Sequence, residues 1–228
     1  MSHYPVAVFS KKPEDIGSLL SPFYEAVDGN SPYAVFQEDP QADEDDGMGR
    51  RGYWRNPNAK WDWWNMGGRW RGQLKLKEGK EGAYGSPPFK NENHPLDPKR
   101  CDQALVADCD FTPDPEAYAH ALRQWEIQVE DAPLRDGEKA LDHLRIYKPE
   151  YYIRQYGDKE YYAKRQSMFN PFAFLSAEGE WHEPGRMGWF GMDDSTVKTQ
   201  KEHEEKFRGY LKQAGEQGLY ITVVDCHI

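Results

Sequence analysis

A chain of 228 residues is long enough for one elaborated domain, and its net charge of −10 argues against non-specific binding to duplex nucleic acid. Its longest apolar runs are about one strand long, far short of the ~20 residues that span a bilayer, and no signal-peptide pattern opens it. Three cysteines, Cys101, Cys109 and Cys226, form no disulfide framework and no Cys-x-x-Cys pair. We therefore expect a cytoplasmic protein that avoids membranes and carries no cofactor.

Short strands separated by loops are predicted for the first half of the chain. Alternating, aromatic or β-branched residues indicate strands at Tyr4–Phe9, Tyr33–Gln37, Gly68–Leu76 and Gln103–Cys109. A helix is expected to open at Pro13, and Pro22 is expected to bend or shorten it. Residues 38–46 are predicted to form an acidic loop, and residues 79–100, rich in Gly, Pro and Asn, a second loop.

Helices and strands alternate in the prediction for the second half. Thr112 is expected to cap a helix from Pro113 to Glu130, and a tyrosine-rich helical insertion covers residues 137–165. Within that insertion Tyr147, Tyr151 and Tyr162 are expected to cover the sheet. The remaining elements are a hairpin, a strand, a helix and a last strand, at Phe172–Leu175 with Glu180–His182, Met187–Phe190, Thr196–Ala214 and Leu219–Ile228.

This order of elements predicts an α+β fold. We expect a mostly antiparallel sheet with helices on one face, arranged as a ferredoxin-like core with insertions. All 228 residues are assigned to a single domain, in which segments 38–46, 79–100 and 137–165 are embellishments.

The most informative segment is Asn56–Trp70, which reads NPNAKWDWWNMGGRW. Four of the eight tryptophans fall between residues 61 and 70. Nine basic residues against two acidic ones lie between Arg50 and Lys80, a local charge of +7 on an acidic chain. Aromatic faces combined with positive charge favour a planar anionic ligand, and nucleotides are the commonest such ligands.

Each residue type in this segment has a predicted role in holding such a ligand. The tryptophans would stack a base, Lys60 and Arg69 would hold a phosphate, and Asp62 would contact a base or ribose edge, or else Lys60 or Arg69. Gly67 and Gly68 would expose backbone N–H groups as an anion nest. The predicted ligand-binding residues are Lys60, Trp61, Asp62, Trp63, Trp64, Gly67, Gly68, Arg69 and Trp70. A purely structural tryptophan cluster is the alternative that these residues leave open.

A second cluster of glycine, arginine and aromatic residues lies at Gly185–Gly191. Arg186 and Trp189 are predicted to form the opposite wall of the same pocket. A glycine-rich turn between strands is the alternative interpretation.

Two strand ends echo each other, Val-Ala-Asp-Cys-Asp and Val-Val-Asp-Cys-His. The twofold period of a strand places Asp225 and His227 on one face, and Asp108 on the same face as Asp110. If the two strands were neighbours, these side chains would converge as a general acid and base or as metal ligands. Strand-end capping is the alternative. Asp108, Asp225 and His227 are therefore candidate catalytic residues if the protein is an enzyme.

The segment Asn56–Trp70, the run Gly185–Gly191 and the ending Val-Val-Asp-Cys-His-Ile together resemble an uncharacterised family associated with phages, prophages and some bacteria. Its block reads N-P-x-x-K-W-D-W-x-x-x-G-G-R-W, in which Trp64 occupies a variable aromatic position. The resemblance implies a phage context, hence a host cytoplasm, and no settled activity.

Three hypotheses of function follow. The favoured one is a non-catalytic binder of a nucleotide-like anionic small molecule, which in a phage would suit sequestration of a host immune signal. The second is a phosphodiesterase or related hydrolase that uses Asp225 and His227. The third is a protein-interaction inhibitor of a host enzyme, with exposed Trp and Arg as hot spots. A homodimer is compatible with each of them.

Overall fold

The structure is a computed structural model that describes residues 2–43, 46–86, 96–139, 147–188 and 191–228. Its strands, in chain order, are β1 His3–Ser10, β2 Val35–Glu38, β3 Gly52–Arg55, β4 Trp63–Met66, β5 Leu74–Leu76, β6 Arg100–Cys101, β7 Gln103–Leu105, β8 Cys109–Asp110, β9 Ala173–Leu175, β10 Trp181–His182 and β11 Tyr220–His227. Its α-helices are α1 Ile16–Leu20, α2 Pro115–Gln128, α3 Pro149–Tyr156, α4 Lys159–Ser167 and α5 Val197–Glu216.

The main sheet has the strand order β10–β9–β1–β11–β4, and β7 pairs with β11 next to β4. Only β1 and β9 are parallel among these pairs, which confirms the predicted α+β class with a mostly antiparallel sheet. The strands β1 and β11 pair from His3 opposite His227 to Ser10 opposite Tyr220. The first and last strands, β1 and β11, are therefore neighbours along their whole length.

Three central strands have the directions of a ferredoxin-like sheet, because β1 is parallel to β9 and antiparallel to the last strand. The flanking strands depart from that plan. The edge strand β10 follows β9 in the chain instead of preceding it, and β4 and β7 extend the sheet beyond β11.

Both faces of this sheet are covered. Phe9, Ile221 and Val223 pack under α5, which contributes Phe207 and Leu211. The opposite face packs against α1 through Ile16 and Leu20, in a second core that includes Val6, Val8, Val224 and Cys226. The structure thus places helices on both faces, where the sequence predicted one. The reason is that β1 and β11 are apolar on both sides, as doubly covered strands must be.

The helix α5 follows its sequence signals closely. Thr196 caps it in a reciprocal pair with Thr199, and its buried positions recur every three or four residues as one stripe, namely Gln200, His203, Phe207, Leu211 and Ala214. The predicted helix Thr196–Ala214 and last strand Leu219–Ile228 are confirmed. The predicted hairpin is also confirmed, because β9 and β10 pair with Leu175 opposite Trp181.

Several element boundaries differ from the prediction. Gly68–Trp70 is a 3-10 turn, and only Leu74–Leu76 of the predicted strand 68–76 is extended. The predicted strand 103–109 is broken by a 3-10 turn at Val106–Asp108. The cap of α2 is Asp114, whose carboxylate accepts from two helix N–H groups, and the predicted cap Thr112 instead binds Asp110. Met187 forms a single bridge with Asp193, and the rest of that predicted strand includes residues outside the described ranges.

The tyrosine-rich insertion does not cover the sheet. Tyr151 and Tyr162 pack with Trp125 of α2 in a third cluster, separate from the two sheet cores. Tyr147 stacks on Tyr151 and is half exposed. Helices α2, α3 and α4 bury these rings against one another, which explains why a helical segment with little aliphatic content folds here. Residues 140–146 of the insertion lie outside the described residues.

Two further small sheets complete the fold. The strands β2 and β3 pair as a hairpin, and β5 lies between β6 and β8. In the described part of the chain, no helix is long and apolar enough to cross a membrane.

Candidate functional site

The tryptophans of the segment Asn56–Trp70 are divided between core and surface. Trp61 is buried, donates its indole N–H to the Leu20 carbonyl and packs on Tyr24. Trp64 packs against the same core, and Trp70 against the core under α5. Trp63 is the exception, with 46% of its surface exposed. Of the four tryptophans predicted to stack a base, Trp63 is therefore the one with a largely exposed ring, whereas Trp64 and Trp70 are only partly exposed.

The glycine pair Gly67-Gly68 packs against two buried carboxylates. A Cβ on Gly67 would lie 2.3 Å from Oδ2 of Asp102, and one on Gly68 would lie 2.3 Å from Cβ of Asp225. Both glycines have positive φ, +72° and +50°. Glycine is required here because the backbone turns sharply while it touches these side chains.

The anion held at this turn belongs to the protein itself. The Arg69 N–H donates to Oδ2 of Asp225 at 3.0 Å, and the Gly67 N–H donates to the Val223 carbonyl. The Gly67 N–H of the predicted anion nest is therefore already used by an internal acceptor, whereas the role of the Gly68 N–H stays a prediction. The side chain of Arg69 remains exposed at the surface.

Asp102 binds the neighbouring loops in a similar way. It is fully buried and accepts from the N–H groups of Gly72 at 2.6 Å and Gly85 at 2.9 Å. Burial raises the pKa of this carboxyl above its ordinary value. The side chain therefore has a structural role, because it joins the two loops that contain Gly72 and Gly85.

Two histidine–carboxylate pairs lie where β1, β11 and β4 meet. Nδ1 of His3 is 2.8 Å from Oδ1 of Asp225, and Nδ1 of His227 is 2.6 Å from Oδ1 of Asp62. The two imidazole rings are edge to face, with centroids 4.7 Å apart. We refer to His3–Asp225 and His227–Asp62 as the histidine pairs.

The register of the sheet explains how these side chains come together. His3 lies opposite His227, and His227 lies opposite Trp63, so all three project from one face. Asp225 is two residues before His227 and shares that face. The Trp63 ring stands edge-on to His3 at 6.2 Å. The strands alone therefore collect two imidazoles, a buried carboxylate and an exposed indole.

The histidine pairs leave one nitrogen on each ring available. A carboxylate oxygen accepts a hydrogen bond from an imidazole N–H, so in the tautomer with its proton on Nδ1 each ring donates to its aspartate and leaves Nε2 unengaged. Among the described residues nothing hydrogen-bonds to Nε2 of His3 or His227. Asp225 is almost fully buried, whereas 42% of the Asp62 side chain is exposed. The exposed fractions of the His3 and His227 side chains are 17% and 14%, so both rings are mostly buried and reach the surface over a small area beside Trp63.

Lys60 belongs to a different surface. Its ammonium binds Glu183, which also accepts from the Trp181 indole. Lys60 and Trp181 line a cleft of about 800 Å³ that also includes His182 and Lys206. The structure thus does not bring Lys60 to Arg69. Asp62 binds His227 and pairs with neither Lys60 nor Arg69, and its expected contact with a ligand stays a prediction.

The local positive charge is partly neutralised by carboxylates outside the segment from Arg50 to Lys80. Four of the nine basic residues form ion pairs, namely Arg50 with Glu38 and Asp46, Lys60 with Glu183, Lys75 with Asp110 and Lys80 with Asp108. The ion pairs of the described residues do not include Arg51, Arg55 or Arg69. Arg69 is therefore the unpaired cation of the segment Asn56–Trp70.

Asp108 lies apart from the histidine pairs. The strands carrying the two echoed motifs are neighbours, as the prediction required, but they pair antiparallel, with Leu105 opposite Tyr220. This sends Asp108 toward the opposite end of the sheet from Asp225, and Asp108 binds Lys80 there. The expected convergence of Asp108 with Asp225 and His227 is corrected. The described residues hold no group of three or more His, Cys, Asp or Glu that suits a metal ion.

The second glycine-rich cluster approaches the N-terminal strand through its backbone. The Ser2 hydroxyl donates to the Gly188 carbonyl and accepts from the Gly191 N–H. Arg186 is exposed, and its backbone N–H binds Asp194. Trp189 lies outside the described residues, so its predicted role stays a prediction.

His3 is the site residue that the sequence alone did not reveal. It precedes the first predicted strand and belongs to no motif. A signal was present in the alternation of β1, because His3 shares a face with Pro5, Ala7 and Phe9. Only the pairing of β1 with β11 brings it to His227.

Comparisons of the chain with protein-family models, with curated proteins and with solved structures give no match. The geometry of the histidine pairs therefore carries the functional argument.

Proposed function

We propose that this protein binds a nucleotide-like, anionic small molecule over the face formed by His3, Trp63, Arg69 and His227, and cleaves a phosphodiester bond in it. The observation that carries the proposal is the geometry of the histidine pairs, two rings with centroids 4.7 Å apart, each with Nδ1 bound to an aspartate. A protein that only sequesters its ligand needs no pair of oriented imidazoles. General acid–base catalysis does, because one group accepts a proton and another donates one.

Each group has a role that its chemistry supports. One Nε2 accepts a proton from the attacking nucleophile, and the other donates a proton to the leaving oxygen. Asp225 and Asp62 are positioning residues that fix the tautomer and orientation of the rings, as a carboxylate does for histidine in other acid–base sites. Trp63 offers a stacking face for a base, and the free guanidinium of Arg69 offers a fork for phosphate oxygens.

The resemblance to a phage-associated family suggests one group of substrates to test first. A nucleotide signal of host immunity would be destroyed by such a site, in place of the sequestration that the sequence favoured. This context is part of the proposal and rests on the resemblance alone.

The experiment is a panel of linear and cyclic nucleotides and dinucleotides, incubated with the protein and analysed by mass spectrometry. We expect the wild type to convert at least one member and the variant His227→Ala to be slower by about 10²-fold or more. The matched control is His182→Ala, in the separate cleft near Lys60, which should retain the wild-type rate.

Three outcomes separate the hypotheses. Conversion lost in His227→Ala supports the phosphodiesterase. Ligand released intact on denaturation would contradict cleavage and support sequestration. If no panel member changes the tryptophan fluorescence or the thermal midpoint, both fail and a protein-interaction role is favoured.

A further inference from the structure

Among the residues that the structure describes, no serine, threonine or cysteine is hydrogen-bonded to the histidine pairs. A serine, threonine or cysteine acts as a nucleophile when a base lies within hydrogen-bond reach of it. In the described ranges neither His3 nor His227 hydrogen-bonds to such a side chain, since each Nδ1 is taken up by an aspartate. The hydroxyl of Ser2, the residue next to His3, bonds instead to the Gly188 and Gly191 backbone.

The side chains between these residues on β11 point away from the site. Cys226 lies between Asp225 and His227 but faces the opposite core, where it is fully buried. Thr222 lies on that same opposite side and accepts from Gln103. The nucleophile must therefore arrive as water or as part of the substrate.

A nucleophile within the substrate suits two imidazoles better than water does. An intramolecular hydroxyl next to the phosphorus has an effective molarity of roughly 10⁵–10⁸ M, so the protein has only to move two protons. A ribonucleotide carries such a hydroxyl at its 2′ position, next to the 3′-phosphodiester.

Resting on the proposed phosphodiesterase function, we infer that the substrate is a ribonucleotide phosphodiester whose own 2′-hydroxyl is the nucleophile. One imidazole Nε2 takes the proton from the 2′-hydroxyl while the O2′–phosphorus bond forms. The phosphorus–O5′ bond breaks, and the second ring, as imidazolium, gives its Nε2 proton to O5′. The products are a 2′,3′-cyclic phosphate and a free 5′-hydroxyl, with no net gain or loss of protons.

The other residues of the face fit the same substrate. Trp63 is exposed beside His3 and can stack the base on one side of the scissile phosphate. The backbone N–H of Arg69 donates to the carboxylate that binds His3, so the exposed Arg69 side chain starts close to the histidine pairs. A charge there would bind the non-bridging phosphate oxygens.

The test uses three matched dinucleotides that differ only at the sugar 5′ to the scissile phosphate, with a 2′-hydroxyl, a 2′-hydrogen or a 2′-methoxy group. We expect cleavage of the first alone, at least about 10³-fold faster than the others, and a 2′,3′-cyclic phosphate product. Equal cleavage of the 2′-deoxy substrate, or solvent ¹⁸O in the first product formed, would overturn the inference and leave the phosphodiesterase intact. No cleavage of any of them while a member of the nucleotide panel is still converted would overturn the inference alone, and no conversion in either test would overturn both.

A second substrate shows which histidine accepts the proton of the 2′-hydroxyl and which donates a proton to the leaving oxygen. In a ribonucleotide whose 5′ leaving oxygen is replaced by sulfur, departure of the thiolate needs no general acid. We expect the variant that lacks the acid, either His3→Ala or His227→Ala, to regain at least about 10²-fold in rate on this substrate, while the other does not. Equal rates on both substrates for both variants would contradict an acid–base division between the rings. Circular dichroism of each variant verifies that it is folded.

Discussion

At the scale of single residues, Asp225 is the side chain on which the candidate site depends. It is 1% exposed, it accepts from the Arg69 N–H, and it binds Nδ1 of His3. A buried carboxylate is tolerated only when its oxygens are satisfied, and here both are. One residue thus fixes the turn Gly67–Trp70 and the orientation of an imidazole on another strand.

The glycines of this turn are expected to be essential for stability. Gly67→Ala should lower the free energy of unfolding by roughly 2–4 kcal/mol, because the new Cβ meets the Asp102 carboxylate in addition to the positive-φ strain. Gly79→Ala is the matched control, since Gly79 has the same φ of +72° and no atom within 4 Å of its Cβ position. It should cost only about 1 kcal/mol. Equal losses in urea denaturation would contradict the packing of Gly67 on Asp102.

Arg69 gives a prediction about binding instead of stability. Arg69→Ala should raise KM for the substrate about tenfold, equivalent to about 1.4 kcal/mol, because one charge-assisted contact to phosphate is lost. Its backbone bond to Asp225 survives the substitution, so the thermal midpoint should not move. The control is Arg154→Ala, an exposed arginine on α3. An unchanged KM would remove the Arg69 side chain from the site.

At the scale of elements, α5 holds a group that links stability to pH. His203 is buried against Phe174, and burial, followed by the charge of Arg165, lowers its pKa from 6.5 to about 4. The imidazole of His203 therefore takes up its proton near pH 6.5 in the unfolded chain, but only near pH 4 in the folded chain. Stability supplied by neutral His203 is complete above pH 6.5 and is lost as the pH falls through this window.

The expected loss between pH 6.5 and pH 4 is about 3 kcal/mol. His203→Gln removes the titration while keeping a polar side chain, so its unfolding free energy should fall less steeply over the same window. Urea denaturation of both proteins at several pH values measures the difference. If unfolding free energy depended on pH in the same way in both proteins, His203 would take up its proton over the same pH range in the folded and the unfolded chain, contrary to the prediction.

The elements also show where the sequence was a sufficient guide. Capping residues and periodicity located α5, β1, β11 and the β9–β10 hairpin, because these signals are local. The turn at Gly68–Trp70 was interpreted as a strand, since its shape is set by contacts with Asp102 and Asp225, which are distant in sequence. The same dependence on distant contacts explains why Trp61 lies in the core and Trp63 at the surface, although both belong to one sequence pattern.

At the scale of the whole molecule, the candidate site is a product of topology. His3 and His227 are separated by almost the entire chain, and the antiparallel pairing of β1 with β11 makes them direct neighbours. No motif spans such a separation, which is why the sequence suggested His227 and not His3. The pairing direction of β7 with β11 equally decided that Asp108 would be absent from the site. The residue types of the site could be predicted from the sequence. Which of these residues lie together depends on the order and register of the strands.

The central claim is that His3 and His227 act as one acid–base unit, and a double-mutant cycle tests it most directly. Rates of phosphodiester cleavage are measured for the wild type, His3→Ala, His227→Ala and the double variant, with circular dichroism verifying the fold of each. Groups that act together are strongly non-additive, so each single variant and the double variant should show nearly the same loss, about 10²-fold or more. A His3→Ala variant with the wild-type rate, or two losses that multiply in the double variant, would contradict the account.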